Sequence, residues 1–235
     1  MPNNNLEKAN IMEVFRSVQG EGKYAGVDQV FVRFFECNMR CVWCDTPNSI
    51  GDTVRRFDAV TLDELWRKIC DLWEGCHSVS LTGGEPLLQA EFIRALLPRL
   101  KKTGAVSYLE TNGILPGALE SVIEGMDIIA MDIKLPSSTG CRPYWEEHEA
   151  FLKVARCKDV FVKSVITSGT SDEDVLRSAG LIAGIDPGIP YILQPNYFER
   201  DNGAVKKCVA FQKACSPRLN NVRILPQIHK FMKLP

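Results

Sequence analysis

Val30-Phe31-Val32-Arg33-Phe34-Phe35-Glu36-Cys37-Asn38-Met39-Arg40-Cys41-Val42-Trp43-Cys44 joins an apolar run to a cysteine loop. β-Branched and aromatic residues fill positions 30–35, which predicts a buried strand. The loop behind it has Cys-x3-Cys-x2-Cys spacing, so a strand end gathers three thiolates around one region of space. Three thiolates can hold three irons of a 4Fe–4S cluster and leave the fourth iron without a protein ligand. An open metal position is where a substrate or cofactor binds. Electron-carrier clusters normally take four cysteines, so the missing fourth is informative.

Spacing alone leaves other readings open. A structural zinc site closes its shell with four ligands, usually two Cys-x2-Cys pairs or one such pair with a His pair. The three histidines, His77, His148 and His229, lack His-x3–5-His spacing. A disulfide framework does not suit a chain of this length without a secretion signal. Chance clustering of cysteines is not excluded by spacing.

The chain has 235 residues, 45% hydrophobic and 24% charged, enough for one sizeable globular core. Lys and Arg number 28 against 29 Asp and Glu, a formal net charge of −1. That balance gives no footprint for nucleic acid or an anionic membrane. Six further cysteines, Cys70, Cys76, Cys141, Cys157, Cys208 and Cys215, are scattered, as expected of small buried apolar groups in a reducing compartment. The N-terminal residues are polar, and no run approaches the roughly 20 apolar residues of a membrane helix. The expectation is a cytoplasmic protein.

Strand and helix patterns alternate after the cysteine loop. Thr61-Leu62-Asp63-Glu64 reads as a capping box opening a helix whose apolar face carries Leu62, Leu65, Ile69, Leu72 and Trp73. Strands are predicted over 78–82, 106–110, 128–132, 160–166, 191–194 and 221–225. Helices are predicted over 90–101, 115–124, 145–155, 172–183 and 204–214. Such alternation implies parallel strands with right-handed crossovers. Six or so repeats are too few for a closed eight-fold barrel, so the expected fold is α/β, an incomplete, open (β/α)6-type barrel. No linker or repeat divides it, and residues 1–235 read as a single domain.

Polar, glycine-rich signatures follow nearly every predicted strand. They are the cysteine loop, Thr82-Gly83-Gly84-Glu85-Pro86, Glu110-Thr111-Asn112-Gly113, Asp132-Ile133-Lys134 and Gln194-Pro195-Asn196-Tyr197. Strand C-termini are where such folds place function, so these should share one cavity. Gly83 and Gly84 would let backbone approach a ligand closely, with Glu85 an acceptor for an ammonium group. A lone Gly-Gly-Glu would otherwise be a strand-to-helix turn.

Beside a three-cysteine loop, Gly83-Gly84-Glu85 resembles the radical S-adenosylmethionine (SAM) enzymes. Ser17-Val18-Gln19-Gly20-Glu21-Gly22, Phe31-Val32-Arg33, Trp43-Cys44-Asp45-Thr46 and Asp132-Ile133-Lys134-Leu135-Pro136-Ser137-Ser138 narrow the likeness. From about Ile11 to the C-terminus the chain resembles the 7-carboxy-7-deazaguanine synthase family of the queuosine and 7-deazapurine pathway.

The resemblance implies that Cys37, Cys41 and Cys44 bind a 4Fe–4S cluster and that Thr46 is a ligand of Mg²⁺. It implies a pterin substrate held by Val18, Gln19, Gly20, Arg33 and Thr82, with Arg33 pairing with the substrate carboxylate. Arg33 in an apolar strand would be costly to bury unpaired, which suits a bound anion. SAM would meet Gly84, Glu85, Asp132, Ile133, Lys134, Gln194, Pro195, Asn196 and Tyr197. The tail 226–235 would reach the substrate through the terminal carboxylate of Pro235. One departure is Glu36, where family members commonly have Gly before the first cysteine.

The implied reaction is Mg²⁺-assisted ring contraction of 6-carboxy-5,6,7,8-tetrahydropterin to 7-carboxy-7-deazaguanine with loss of ammonia. An external one-electron reductant of flavodoxin or ferredoxin type and a homodimer are implied as partners. Two other readings stand at this point. A glycyl-radical activase shares the cluster motif but needs neither Arg33 nor the Gln-Gly-Glu-Gly segment. A non-catalytic iron–sulfur carrier or zinc-stabilised module would close the metal's shell with protein ligands.

Overall fold

The computed structural model describes residues 8–51 and 57–234. Nine strands form one sheet: β1 (Lys8–Val18), β2 (Asp28–Phe34), β3 (Asp58–Thr61), β4 (Ser78–Gly83), β5 (Val106–Thr111), β6 (Ile128–Asp132), β7 (Asp159–Ile166), β8 (Tyr191–Pro195) and β9 (Val222–Ile224). The helices are α1 (Leu62–Leu72), α2 (Ala90–Lys102), α3 (Pro116–Glu120), α4 (Pro136–Thr139), α5 (Trp145–Ala155), α6 (Asp172–Ile185), α7 (Ala204–Cys215) and α8 (Ile228–Met232). The sheet order is β3-β1-β2-β4-β5-β6-β7-β8-β9, and it does not close. From β2 onward every ladder is parallel, giving the expected incomplete, open α/β barrel.

One edge differs from the expectation of strict alternation. β1 and β3 precede the repeat in the sheet, and β1 pairs antiparallel with both β2 and β3. The pairing of β1 with β2 shifts register between Ile11 and Glu13, which breaks the period-two signal that would have exposed this long strand. The expected helix over 115–124 is also shorter. It resolves into α3 and a separate 3₁₀ turn over Ile123–Gly125.

Helix α1 opens on the expected capping box. The Glu64 N–H donates to Thr61 Oγ1 at 3.3 Å, and the Thr61 N–H donates to Glu64 Oε2 at 2.8 Å. Leu65 and Ile69 then turn inward and join the main core. That core fills the layer between the helices and one face of the sheet, with Val79, Leu81, Leu109, Ile129, Val162 and Leu193 on the strand side. Alternation sends the intervening residues to the other, concave face. Tyr108, Ile128, Ala130, Phe161 and Ile192 pack there as a second, smaller core.

The same register continues up each strand. Two residues beyond Phe31, Ser80, Tyr108, Ala130, Phe161 and Ile192 stand Arg33, Thr82, Glu110, Asp132, Lys163 and Gln194. The concave face therefore changes from apolar at its base to charged at its upper rim. Among the described residues no helix is long and apolar enough to cross a membrane.

Candidate active site

The charged rim encloses a cavity of about 220 Å³ at the C-terminal ends of the parallel strands. All five strand-end signatures contribute to its wall. Cys37, Cys41 and Cys44 line one side, and the loop carrying them is tied down on two flanks. Asn112 Nδ2 donates to Asn38 Oδ1 at 2.7 Å; Trp43 Nε1 donates to Ser138 Oγ at 3.0 Å, and Val42 N–H to Thr139 O at 3.0 Å. All three thiols are free of disulfides. Burial pushes Cys41 up to about 12 and raises Cys37 as well, so metal binding must displace protons from them.

Three free thiols on one wall are the donor type that holds an iron–sulfur cluster. Among the described residues no group of three His, Cys, Asp or Glu side chains is placed to hold one metal ion. Thiolates that each take a different iron do not need to converge so closely. Thr46, two residues on, lines the same wall, its Oγ1 3.9 Å from Cys44 Sγ.

On the neighbouring wall, Asp132 and Lys134 sit at the end of β6. Lys134 Nζ contacts Asp132 Oδ2 at 2.8 Å, and Lys163 Nζ contacts the same oxygen at 3.2 Å. Burial alone would raise Asp132, but the two lysines outweigh it and hold the carboxylate below its ordinary range. Burial would lower Lys134, yet Asp132 carries it up to about 12. Asp132 Oδ1 and Gln194 Oε1 are buried without a hydrogen-bond partner among the described residues. Orphaned acceptors on a cavity wall are costly unless a donor from outside the protein meets them. The donor set thus fits a cluster with a polar cofactor beside it.

Gln19, Arg33, Thr82 and Glu110 make the wall opposite in chemistry. Gln19 Nε2 donates to Glu110 Oε1 at 2.7 Å, and Thr82 Oγ1 donates to Glu110 Oε2 at 2.8 Å. Val18 and Gly20 also reach the cavity. Arg33 is not buried unpaired, which corrects the sequence-based reason for placing an anion beside it. Its Nε donates to Glu13 Oε1 at 2.6 Å, across the pairing of β1 with β2, and among the described residues this is the one hydrogen bond of its side chain.

The expectations for Glu85, Ile133, Pro195 and Tyr197 need correcting, and Gly83 and Gly84 have a second reason to be glycine. Gly83 and Gly84 do line the cavity, but protein backbone already demands glycine there. A Cβ on Gly83 would meet Phe34 O at 2.2 Å, and one on Gly84 would meet Glu36 O at 2.0 Å. Glu85 does not reach the wall. Its fully buried carboxylate accepts from Thr111 Oγ1, Asn112 N–H and Leu87 N–H, and burial raises it to about 7 despite those bonds.

Ile133, Pro195 and Tyr197 also lie off the wall, whereas Asn196 lines it and accepts from the Phe198 N–H, bringing Phe198 to the cavity instead. Cys70 and Cys157 are exposed rather than buried, while Cys76, Cys208 and Cys215 are buried. Pro235 lies outside the described residues.

Of the wall residues, Lys163 escaped the sequence reading altogether, and Glu21, Asp45, Glu110, His229 and Lys230 lay inside quoted segments without a role of their own. Lys163 carried a legible signal, since it is a lone lysine in the apolar strand β7, in register with Phe161. Glu21 accepts from Lys163 at 2.6 Å, and this pairing overcomes the burial that would otherwise raise its pKa. Asp45 accepts from Lys230 Nζ at 2.8 Å and Gln227 Nε2 at 3.0 Å. Burial opposes its ionisation, but these partners hold it down to about 2.

Comparison with known proteins agrees with this geometry. The Radical SAM superfamily model matches residues 32–182. A 7-carboxy-7-deazaguanine synthase of Geobacter sulfurreducens is 41% identical over 95% of this chain and 97% of that protein. One of Archaeoglobus fulgidus is 35% identical over 96% of this chain and 98% of its own length. Among solved structures, QueE from Escherichia coli superposes with a TM-score of 0.64 at 21% identity, covering 97% of this chain and 99% of that one. TYW1 with a lysine-pyruvate adduct bound gives 0.60 at 16% identity, over 81% and 74%. Those two likenesses speak for the fold, and the sequence matches speak for more: the chain belongs to the 7-carboxy-7-deazaguanine synthase family of the radical SAM superfamily.

Proposed function

We infer that this chain is a lyase that converts 6-carboxy-5,6,7,8-tetrahydropterin to 7-carboxy-7-deazaguanine, with loss of ammonia. One observation carries the reading: three cluster-type thiols share a single cavity with Arg33, Gln19 and Glu110. A carrier or binding module has no use for that second wall. Cys37, Cys41 and Cys44 would hold the 4Fe–4S cluster, and Thr46 would offer its hydroxyl to Mg²⁺. When bound, the cluster with SAM supplies a hydrogen-abstracting radical, and Mg²⁺ supplies a Lewis acid that orients oxygen groups.

The chain's own residues bind and orient. Asp132 Oδ1 and Gln194 Oε1 offer unfilled acceptors to the amino-acid and ribose donors of SAM, beside Gly84, Lys134 and Asn196. The Nη groups of Arg33, left over after Glu13 takes Nε, would pair with the pterin carboxylate in the bidentate way guanidinium favours. Glu110, held by Gln19 and Thr82, presents a fixed carboxylate to the N–H edge of a pterin ring. The terminal carboxylate of Pro235 would complete this wall. The apolar base formed by Phe161 and Tyr108 keeps water from entering beneath.

A single sheet and one principal core support reading residues 1–235 as one radical SAM domain, with cluster loop 37–44 and tail 226–235. A flavodoxin- or ferredoxin-type reductant, a homodimer and a cytoplasmic location complete the proposal. The test is anaerobic incubation of the reconstituted protein with SAM, Mg²⁺, dithionite and the tetrahydropterin. The expected product has the mass of 7-carboxy-7-deazaguanine and depends on SAM. Recovery of unchanged pterin while SAM is cleaved would overturn the substrate.

A further inference from the structure

The C-terminal segment reaches the cavity on polar contacts. Helix α8 has no buried residue, and Phe231 is 87% exposed. Apolar burial therefore contributes little to holding it in place. Its hydrogen bonds to the rest of the chain, among the described residues, are the Ile228 N–H to Gly20 O at 2.9 Å, Gln227 Nε2 to Glu21 Oε1 at 2.6 Å and to Asp45 Oδ2 at 3.0 Å, and Lys230 Nζ to Asp45 Oδ2 at 2.8 Å; Lys230 Nζ also lies over the rings of Tyr197 and Phe198. Asp45 thus accepts both the only ion pair in this set and one of the amide bonds. Ion-paired hydrogen bonds are the stronger kind.

Asp45 also directly follows Cys44 in the chain. Its carboxylate stands under Gln227 and Lys230 in a structure whose cysteine loop is wrapped and tied to Asn112 and Ser138. We propose that Asp45 is a positioning residue that joins the cluster loop to the C-terminal segment, so that residues 227–234 close the cavity wall only on a chain whose cysteine loop is seated. The inference rests on the reading above for what the segment closes over, a pterin cavity. The joint itself requires no substrate. Removing Asp45 leaves the segment with two of these hydrogen bonds, Ile228 to Gly20 and Gln227 to Glu21, and removing Lys230 takes away the ion pair and leaves three; either change shifts it towards local opening.

Hydrogen exchange on the anaerobically reconstituted, full-length protein tests this. D45A and K230M should each speed exchange in the peptide covering 227–234 roughly tenfold, leaving strands β6 to β8 protected as before. K230R, which keeps charge and reach, should restore the slow rate. The KM for the tetrahydropterin should rise in D45A and K230M while the KM for SAM does not. Chelating the iron should speed exchange of 227–234 in the wild type and make no further difference in D45A. Exchange in K230M that matches the wild type overturns the proposal, as does wild-type exchange that ignores iron removal. Exchange that behaves as stated in a protein that never converts the pterin leaves the joint standing and removes only the substrate.

Discussion

Lys163 Nζ lies 2.6 Å from Glu21 Oε2, joining residues 142 positions apart across the open mouth of the barrel. Lys163 rises from the concave face of β7, and Glu21 follows the end of β1. Both side chains are more than four-fifths buried, at 13% and 19% exposure. The same ammonium touches Asp132, so one cation serves the carboxylate on the proposed SAM side and the one on the proposed substrate side.

Lys163→Met should therefore uncover two carboxylates at once. Breaking a buried pair by removing one partner typically costs about 3–5 kcal/mol, and Lys134 remains to serve Asp132, so a loss of about 3 kcal/mol is expected. Urea denaturation of the purified variant at neutral pH measures it. A loss of about 1 kcal/mol or less would mean that water already screens the pair.

Glu36 has φ +79°, a conformation that favours glycine, and its side chain is exposed. Glu36→Gly should stabilise the chain by about 1 kcal/mol through relief of left-handed backbone strain. Glu36→Val should do the reverse, because branching at Cβ is poorly tolerated there. The two thermal midpoints, moving in opposite directions, make the comparison independent of any lost surface charge.

Cys41→Ala should lose most of the iron and acid-labile sulfide taken up on anaerobic reconstitution. Cys70→Ala, on the exposed face of α1, should take up as much as the wild type. Equal iron in both variants would show that Cys41 is not a ligand.

His148 is fully buried, its Nε2 accepting from the Lys134 N–H at 3.1 Å and its Nδ1 lying 3.1 Å from Gly113 O. That arrangement suits the neutral ring with its proton on Nδ1, and burial pulls the pKa down to about 4. The unfolded chain, with His near 6.5, binds the proton first. Stability from this residue is therefore complete above pH 6.5 and falls by about 3 kcal/mol as pH drops through the interval down to 4. His148→Gln should show a shallower decline over that interval, read from denaturation midpoints. Parallel profiles would show that the carboxylates alone account for acid sensitivity.

Much of the site was legible because its residues are local to strand ends. Cys37, Cys41 and Cys44, Thr82 to Gly84, Asp132 and Lys134, and Gln194 and Asn196 each sit at or just beyond the end of a strand whose apolar pattern is plain, and they do meet in one cavity. Glu85 misled for a physical reason. A glutamate after two glycines reads as a ligand, but here its carboxylate is consumed by Thr111, Asn112 and Leu87. β1 stayed hidden because its bulge interrupts the alternation and charged residues occupy its exposed side.

Local order in the chain was sufficient for the repeat of strand and helix, for the cysteine loop, and for which rim of the sheet would carry chemistry. Those follow from side-chain periodicity and from spacing over a few residues, which short-range geometry enforces. The pairings that close the cavity are another matter. Asp45 meets Lys230 across 185 positions, and Lys163 meets Glu21 across 142. No periodicity links such residues, and they became neighbours only once the sheet had curved and brought its first loop, its seventh strand and its final helix to the same opening.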